Sequence, residues 1–291
     1  MNRRSFLSLP LAAAAPARPA SDSFTFVHFT DPHIQPELRA REGVEKCFAA
    51  INETKADFAL GGGDLVFDVL ESTPQRAKML FDMYSAALKG LNMKVHQAPG
   101  NHDVYGWSVN SPISITDPMY GKMMYEDRLG PRYSSFDHKG WHFILLDSIG
   151  VENRRYIGLV DPEQMDWLKR DLEKTGKTAP IVVMTHIPLT TGIIQFLSGR
   201  GANLDGWVVT NSREVLALLE PYNVKAVLQG HTHVRETVDD WKGCQYITSG
   251  AVSGNWWKGS RLGHPEGFAL LTVKGDTITW EYRTYGWQAA V

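Results

Sequence analysis

Five short polar clusters follow one another along the chain, and each comes directly after a short apolar run typical of a buried strand. They contain carboxylates, imidazoles and one amide: Asp31-Pro32-His33, Gly63-Asp64, Gly100-Asn101-His102-Asp103, His186 and Gly230-His231-Thr232-His233. Side chains just beyond the carboxyl ends of strands form the binding sites of open α/β sheets. We therefore expect the clusters to meet at one sheet edge, and their donor groups indicate a metal-dependent hydrolase.

The rest of the chain alternates predicted strands with predicted helices. Apolar runs predict strands at 24–30, 57–60, 94–97, 180–185 and 224–228, and helical spacing predicts helices after Pro36, from Pro74, after Asp161 and from Asn211. A hairpin is predicted within 133–148, and the C-terminal part is predicted to be all-β. We find no internal repeat or linker, so residues 21–291 are expected to form one domain.

The first twenty residues differ from the body of the chain. Arg3-Arg4 precede a short apolar stretch, an alanine run and the small residues 15–17, which is the order of a twin-arginine export signal. This pattern predicts that residues 1–20 are a signal segment and that the protein is periplasmic or secreted. The alternative is an ordinary N-terminus that begins with two arginines.

Charge and hydropathy argue against two classes of partner. Removal of residues 1–20 leaves 27 basic residues against 32 acidic ones, with no lysine or arginine run to track a phosphate backbone. No apolar run reaches the ~20 residues that span a bilayer. Cys47 and Cys244 lie outside the polar clusters, so a disulfide and two core thiols are both open.

The ordered combination of motifs resembles the calcineurin-like metallophosphoesterases, over about residues 24–233. This resemblance implies an α/β fold of four layers, α/β/β/α, in which two mixed sheets face each other and helices cover them. It also implies a dinuclear metal site at one edge and a small phosphate ester as the substrate, as in bacterial cyclic-nucleotide phosphodiesterases. The oligomeric state is not indicated.

The resemblance also implies a role for each matching residue. Asp31, His33 and His233 would bind the first metal, Asn101, His186 and His231 the second, and Asp64 would bridge the two. A metal-bound hydroxide would then attack phosphorus. Imidazole and carboxylate suit manganese, iron and zinc alike, and Phe67 stands where purple acid phosphatases have an iron-binding tyrosine.

Four further residues are expected to contact the substrate or the reacting groups. His102 follows the ligand Asn101, so we predict that it lies beside the metals as a general acid, with Asp103 orienting its ring. Trp256 and Trp257 follow a predicted strand that ends at the same edge, and they are predicted to bind substrate. The segments 105–122 and 189–209 are expected to select between monoesters and diesters.

Two other functions share these motifs. Some nucleases of this fold carry the same clusters, but the acidic body and the export signal disfavour them. A non-catalytic metal-binding module would have kept the fold and lost the chemistry. All seven expected ligands and His102 are present, which favours the enzyme.

Overall fold

The computed structural model describes residues 23–197 and 204–290. The predicted signal segment, residues 1–20, lies outside the described residues. The strands are β1 (Ser23–Phe29), β2 (Phe58–Gly61), β3 (Lys94–Gln97), β4 (Ser134–His138), β5 (Trp141–Leu145), β6 (Ile149–Glu152), β7 (Arg155–Gly158), β8 (Ile181–Met184), β9 (Val224–Gln229), β10 (Glu236–Asp239), β11 (Gln245–Thr248), β12 (Gly267–Lys274) and β13 (Thr277–Thr284). The helices are α1 (Ala40–Glu53), α2 (Pro74–Leu88), α3 (Met123–Leu129), α4 (Pro162–Thr175), α5 (Ile194–Leu197) and α6 (Ser212–Leu219), with a 3₁₀-helix at Asn101–Asp103.

The strands form two large mixed sheets and a separate hairpin. The first sheet has the order β13-β12-β1-β2-β3, and β1, β2 and β3 are parallel. The second has the order β10-β11-β9-β8-β5-β4, with β5, β8, β9 and β11 parallel. The β6–β7 hairpin is a two-stranded sheet of its own. Because parallel strands end at the same edge of a sheet, the loops that follow them lie together at that edge.

The two sheets pack face to face through aromatic side chains. Phe26 and Phe58 of the first sheet lie 5.2 and 5.0 Å, between ring centroids, from Phe143 of the second. The alternate residues of β1, Val27 and Phe29, face the cluster that includes α1 and α2. Full burial of such a side chain contributes roughly 1.5–3 kcal/mol. Helices α4 and α6 cover the second sheet in the same way, so the predicted four-layer α/β/β/α fold is confirmed.

Side chains cap the starts of two helices. Thr73 caps α2 ahead of Pro74, and the Asp161 carboxylate accepts a hydrogen bond from the Gln164 backbone N–H at 2.9 Å at the start of α4. The Gln164 side chain does not bond back to the cap. Instead it pairs with the backbone N–H and carbonyl of Asp147, at 2.8 and 2.7 Å, and so joins α4 to the loop after β5.

The structure decides whether the two cysteines form a disulfide or are core thiols. Cys47 and Cys244 are both buried and both free, and they belong to different core clusters on the two outer faces. They are therefore core thiols and not a disulfide. In the part of the chain that the structure describes, no helix is long and apolar enough to cross a membrane.

Candidate metal centre

The five polar clusters lie at the carboxyl ends of parallel strands from both sheets. Asp31, Asp64 and Asn101 follow β1, β2 and β3, while His186 and His231 follow β8 and β9. Backbone hydrogen bonds join the first two loops, because the N–H groups of Asp31 and His33 donate to the carbonyls of Gly63 and Asp64, both at 2.9 Å. The five clusters therefore lie together at one edge, as the sequence predicts.

Two glycines allow these loops to approach each other closely. A Cβ atom on Gly100 would lie 2.2 Å from the backbone nitrogen and Oδ1 of Asp64, and one on Gly230 would lie 2.2 Å from the Thr30 hydroxyl. Contacts this short are excluded for real side chains, so only glycine fits at either position. The spacing of the ligand loops therefore depends on the two glycines.

Most of the predicted ligands have a backbone conformation that non-glycine residues rarely adopt. The φ angles are positive at Asp31 (56°), His33 (41°), Asp64 (51°), His231 (70°) and His233 (60°). Such conformations are costly and are kept mainly where the surrounding structure enforces them at functional sites. The strained backbone at these residues directs their side chains toward one point.

The first group of ligand atoms comes from Asp31, His33, Asp64 and His233, which are all buried and whose ligand atoms lie within 4.8 Å of one another. His233 Nε2 is 3.2 Å from Asp31 Oδ1, and the Nε2 atoms of His33 and His233 are 3.1 Å apart. Asp31 Oδ2 is held by the Thr30 hydroxyl at 2.6 Å and the His231 N–H at 3.1 Å. Oδ1 has no hydrogen-bond partner in the described residues, so it is free to bind a cation.

The second group comes from Asp64, His186 and His231, again within 4.8 Å. His186 Nε2 lies 3.2 Å from Asp64 Oδ2 and 3.2 Å from Asn101 Oδ1, which adds the amide to this group. Asp64 Oδ2 is also 3.5 Å from His33 Nε2 in the first group. One carboxylate oxygen therefore lies between the two groups.

Carbonyl groups fix the orientation of three of the imidazoles. The Nδ1 atoms of His33, His186 and His233 lie 3.3, 2.8 and 2.5 Å from the backbone carbonyls of Phe67, Gly62 and Gly254. Because a carbonyl only accepts, each Nδ1 must carry the hydrogen, and each Nε2 then presents a lone pair toward the centre. Hydrogen bonds of this kind orient metal-binding histidines.

Burial and the nearby carboxylates set the pKa values of the imidazoles in the centre. Burial lowers the pKa of His33 to about 3 and of His231 to about 4, which keeps both imidazoles neutral. Burial also lowers the pKa of His186, but the carboxylates of Asp64 and Asp31 outweigh it and raise that pKa to about 9. A bound cation would replace this proton as the partner of the two carboxylates.

The donor set fits transition-metal ions. Buried ligand atoms such as Asp31 Oδ1 and His231 Nδ1 have no hydrogen-bond partner within the described residues. Leaving such a group unsatisfied costs roughly 1–3 kcal/mol, which a cation would remove. Two carboxylates, four imidazoles and an amide suit manganese, iron and zinc. Phe67 provides only its backbone carbonyl, through His33, and no phenolate is present at that position.

His102 lies beside the predicted ligands, but its predicted partner is wrong. Asp103 is fully buried and accepts hydrogen bonds from the backbone N–H groups of Leu65, Val66 and Gly100 at 2.9, 3.0 and 2.8 Å, so it cannot orient the His102 ring. The carboxylate nearest that ring is Asp68, whose Oδ1 is 3.8 Å from His102 Nδ1. Asp103 instead holds two ligand loops together. Burial and the Asp64 charge raise its pKa to about 7.

The two tryptophans have different surroundings. Trp257 is 1% exposed, its indole N–H donates to the His33 carbonyl at 3.1 Å, and its ring packs against Gly43 of α1. The prediction that Trp257 binds substrate is wrong, because no substrate could reach the ring. Trp256 is half-buried, with ring centroids 4.5 and 5.9 Å from His233 and His33, so its predicted substrate contact stays a prediction.

Sequence reasoning missed the residues on the other side of the centre. Tyr156 and Trp207 lie with ring centroids 6.2 and 5.6 Å from His231. Trp207 belongs to the segment 189–209 that was expected to select substrates, but Tyr156 belongs to the unpredicted β6–β7 hairpin. Asp68 gave no sequence signal beyond its place in the loop after Asp64.

A family model described as calcineurin-like phosphoesterase matches residues 24–235. The chain belongs to this family. It is therefore a hydrolase that acts on phosphoester bonds, and the family together with the buried cluster of histidines and carboxylates implies bound metal ions. The matched region contains all seven predicted ligands and His102.

The chain is also similar in sequence to one further protein and in fold to two solved structures. A probable cyclic nucleotide phosphodiesterase from Coxiella burnetii is 25% identical over 216 residues, which cover 73% of this chain and 75% of the relative. A dimetal phosphatase from Danio rerio has a similar fold, with a TM-score of 0.64, 16% identity and coverage of 90% of this chain and 96% of that one. The Plasmodium protein GAP50, described as an anchor in the inner membrane complex, has a TM-score of 0.57, 15% identity and coverage of 91% and 85%.

Proposed function

We propose that the protein is a dinuclear metal-dependent phosphoesterase that hydrolyses a small organic phosphate, either a monoester or a diester. The observation that carries this proposal is the position of Asp64 Oδ2, at 3.5 Å from His33 Nε2 and 3.2 Å from His186 Nε2. One carboxylate oxygen thus belongs to two groups of ligand atoms. When bound, a pair of ions activates water for attack on phosphorus and neutralises the phosphoryl oxygens.

The residues of this chain would prepare the site for that chemistry. The backbone N–H of His102 donates to Asp64 Oδ1 at 2.8 Å, which leaves Oδ2 directed between the ligand groups. The His102 imidazole is 24% exposed, so it can reach a bound ester as a proton donor. No protein nucleophile is needed, since water supplies the attacking oxygen.

A diester is the favoured substrate class within this proposal. The Coxiella burnetii relative is described as a probable cyclic nucleotide phosphodiesterase, and it matches across most of both chains. The two alternatives from the sequence have less support. The acidic composition disfavours a nuclease. A non-catalytic metal-binding module is disfavoured because all seven predicted ligands and His102 are present, although fold alone, which this chain shares with the GAP50 anchor, does not decide activity.

The proposal predicts metal-dependent hydrolysis by the purified protein. We expect manganese-loaded protein to cleave bis-p-nitrophenyl phosphate, p-nitrophenyl phosphate or cyclic AMP, and to leave single-stranded DNA intact. Chelation should remove the activity and added manganese should restore it. Metal-loaded, folded protein that cleaves none of the three esters would contradict the proposal, and preferential cleavage of DNA would favour the nuclease.

We also propose that the protein is exported, on the basis of Arg3-Arg4 and the alanine-rich segment that follows. In a bacterial host with a twin-arginine pathway, the wild-type precursor is expected to yield mature protein in the periplasm. The double substitution Arg3→Lys and Arg4→Lys is expected to leave the precursor in the cytoplasm. Immunoblots of the two fractions measure this, and mature periplasmic protein from the double variant would refute it.

A further inference from the structure

A cavity of about 500 Å³ lies directly beside the metal centre. Three aromatic residues line it, Trp107, Tyr156 and Trp207, and two of them also lie within 6.2 Å, between ring centroids, of His231. Asp68, at 3.8 Å from His102, forms another part of the wall. A substrate whose phosphate lies at the centre can therefore extend the rest of its structure into this cavity.

The cavity wall also contains an arginine whose donors are not satisfied. Nε and Nη2 of Arg154 are buried, and neither has a hydrogen-bond partner among residues 23–197 and 204–290. The half-buried Arg132 differs, because it pairs with Asp147 and Asp161 at 3.0 and 2.5 Å. A guanidinium is always charged, and its unmade hydrogen bonds are costly when buried. Because the side chain borders the cavity, a rotation of the guanidinium would present these two donors as a fork to a ligand there.

The backbone at Arg154 supports a binding role over a structural one. Asn153 (φ 49°) and Arg154 (φ 57°) form the two-residue turn between β6 and β7, across which Glu152 pairs with Arg155. A turn with two positive φ angles strongly favours glycine at its second position. An arginine in this place is strained, and strain of this kind is kept mainly at binding sites.

The chemistry of the cavity fits a guanine base. Nε and Nη2 lie along the same edge of the planar guanidinium, so they can donate together to two neighbouring acceptors such as O6 and N7 of guanine. Adenine presents one acceptor and one donor at the same edge. The carboxylates of Asp68 and Glu71 in the wall can accept hydrogen bonds from the N–H groups of guanine. The aromatic rings provide stacking surfaces.

We propose that this cavity binds the base of a guanine nucleotide and that Arg154 is its specificity-determining residue. This inference rests on the proposed function, because the phosphate of the same nucleotide would lie at the metal centre. Trp256 borders the opposite side of the centre, near His33 and His233, and does not line this cavity. Base selection is therefore expected to depend on Arg154 and not on Trp256.

Steady-state kinetics on three diesters test the proposal. Wild-type manganese-loaded protein is expected to prefer cyclic GMP to cyclic AMP, and Arg154→Ala is expected to remove this preference. The loss of kcat/KM on cyclic GMP should be roughly 5- to 100-fold, as for one bidentate base contact. Arg154→Lys should behave like Arg154→Ala, since an ammonium cannot form the fork. Hydrolysis of bis-p-nitrophenyl phosphate, which offers no base edge to the guanidinium, should fall less than hydrolysis of cyclic GMP in both variants.

Two controls separate recognition from folding. Arg154→Gly fits the left-handed turn, so its Tm should equal or exceed that of wild type while its preference for cyclic GMP is lost. Arg170→Ala removes an exposed charge on α4 and should change neither property. Saturation-transfer NMR of metal-free protein should show contact with guanosine and weaker contact with adenosine, and Arg154→Ala should remove the difference.

Several outcomes would overturn the inference. Equal wild-type rates on the two nucleotides, cleavage of neither, or equal losses on all three diesters in Arg154→Ala would each do so, and so would a lower Tm in Arg154→Gly with the cyclic GMP preference retained. All of these leave the proposed function standing as long as bis-p-nitrophenyl phosphate is cleaved. Absence of metal-dependent cleavage of that diester would instead contradict the proposed function.

Discussion

Replacing Asp64 with asparagine is expected to remove both metal ions and nearly all activity. Asp64 Oδ2 lies within 3.5 Å of an imidazole nitrogen in each ligand group, so a single substitution affects both. Asparagine keeps the volume but removes the negative charge that offsets two cations. Metal assistance supplies several kcal/mol of transition-state stabilisation, so we expect kcat/KM to fall by roughly 10³-fold or more.

Elemental analysis of metal-loaded, gel-filtered protein measures the first effect, and hydrolysis of bis-p-nitrophenyl phosphate the second. Asp68→Asn is the matched control for metal content, because Asp68 lies four residues further along the same loop and outside both ligand groups. It should keep the wild-type metal content. A normal metal content in Asp64→Asn, or the loss of one ion only, would contradict the bridging role.

The placement of the ligands was predictable because two regularities act together. Apolar runs identify strands, and parallel strands bring their following loops to one edge. His186 and His231 are 45 residues apart in sequence, yet β8 and β9 are adjacent parallel strands and their rings are 5.2 Å apart, between centroids. No knowledge of side-chain packing was needed to place these residues together.

The errors concern the direction of side chains within a loop. His102 and Asp103 are neighbours in a 3₁₀-helix, where successive side chains point in different directions. Asp103 therefore points into the protein, toward the backbone N–H groups of Leu65 and Val66, while His102 faces the cavity side with Asp68. The side chains of Trp256 and Trp257 also point in different directions, because Trp257 is buried against Gly43 and Trp256 lies beside His233. Position in the sequence therefore predicts which loop contains a residue, but it does not predict which group the side chain contacts.

The β6–β7 hairpin was missed because its turn lacks the usual chemistry. A two-residue hairpin turn is recognised mainly by Asn-Gly or Asp-Gly, and this chain has Asn153-Arg154. The expected segments 105–122 and 189–209 do supply Trp107 and Trp207 to the cavity. The hairpin that supplies Arg154 and Tyr156 is visible only in the structure. The turn that departs from the usual hairpin sequence is thus the one that places Arg154 in the cavity wall.

His102→Ala is expected to keep both metals and to lose most turnover on esters with poor leaving groups. The imidazole lies 4.9 Å from the His33 ring, between centroids, and belongs to neither ligand group, so its removal should leave the metal content unchanged. General-acid catalysis contributes roughly 10²- to 10⁴-fold. That factor should be lost on alkyl esters, whereas p-nitrophenolate departs without a proton and its esters should lose less.

The carboxylate of Asp68 allows a second test of the acid role of His102. At 3.8 Å from His102 Nδ1, it is placed to orient the ring toward the substrate. Asp68→Asn should therefore show the same dependence on the leaving group as His102→Ala, with a smaller loss. In the double variant the two effects should not add, because both substitutions remove one function. Equal losses on alkyl and p-nitrophenyl esters, with metals intact, would restrict His102 to stabilising charge on the phosphoryl group and would exclude it as the acid.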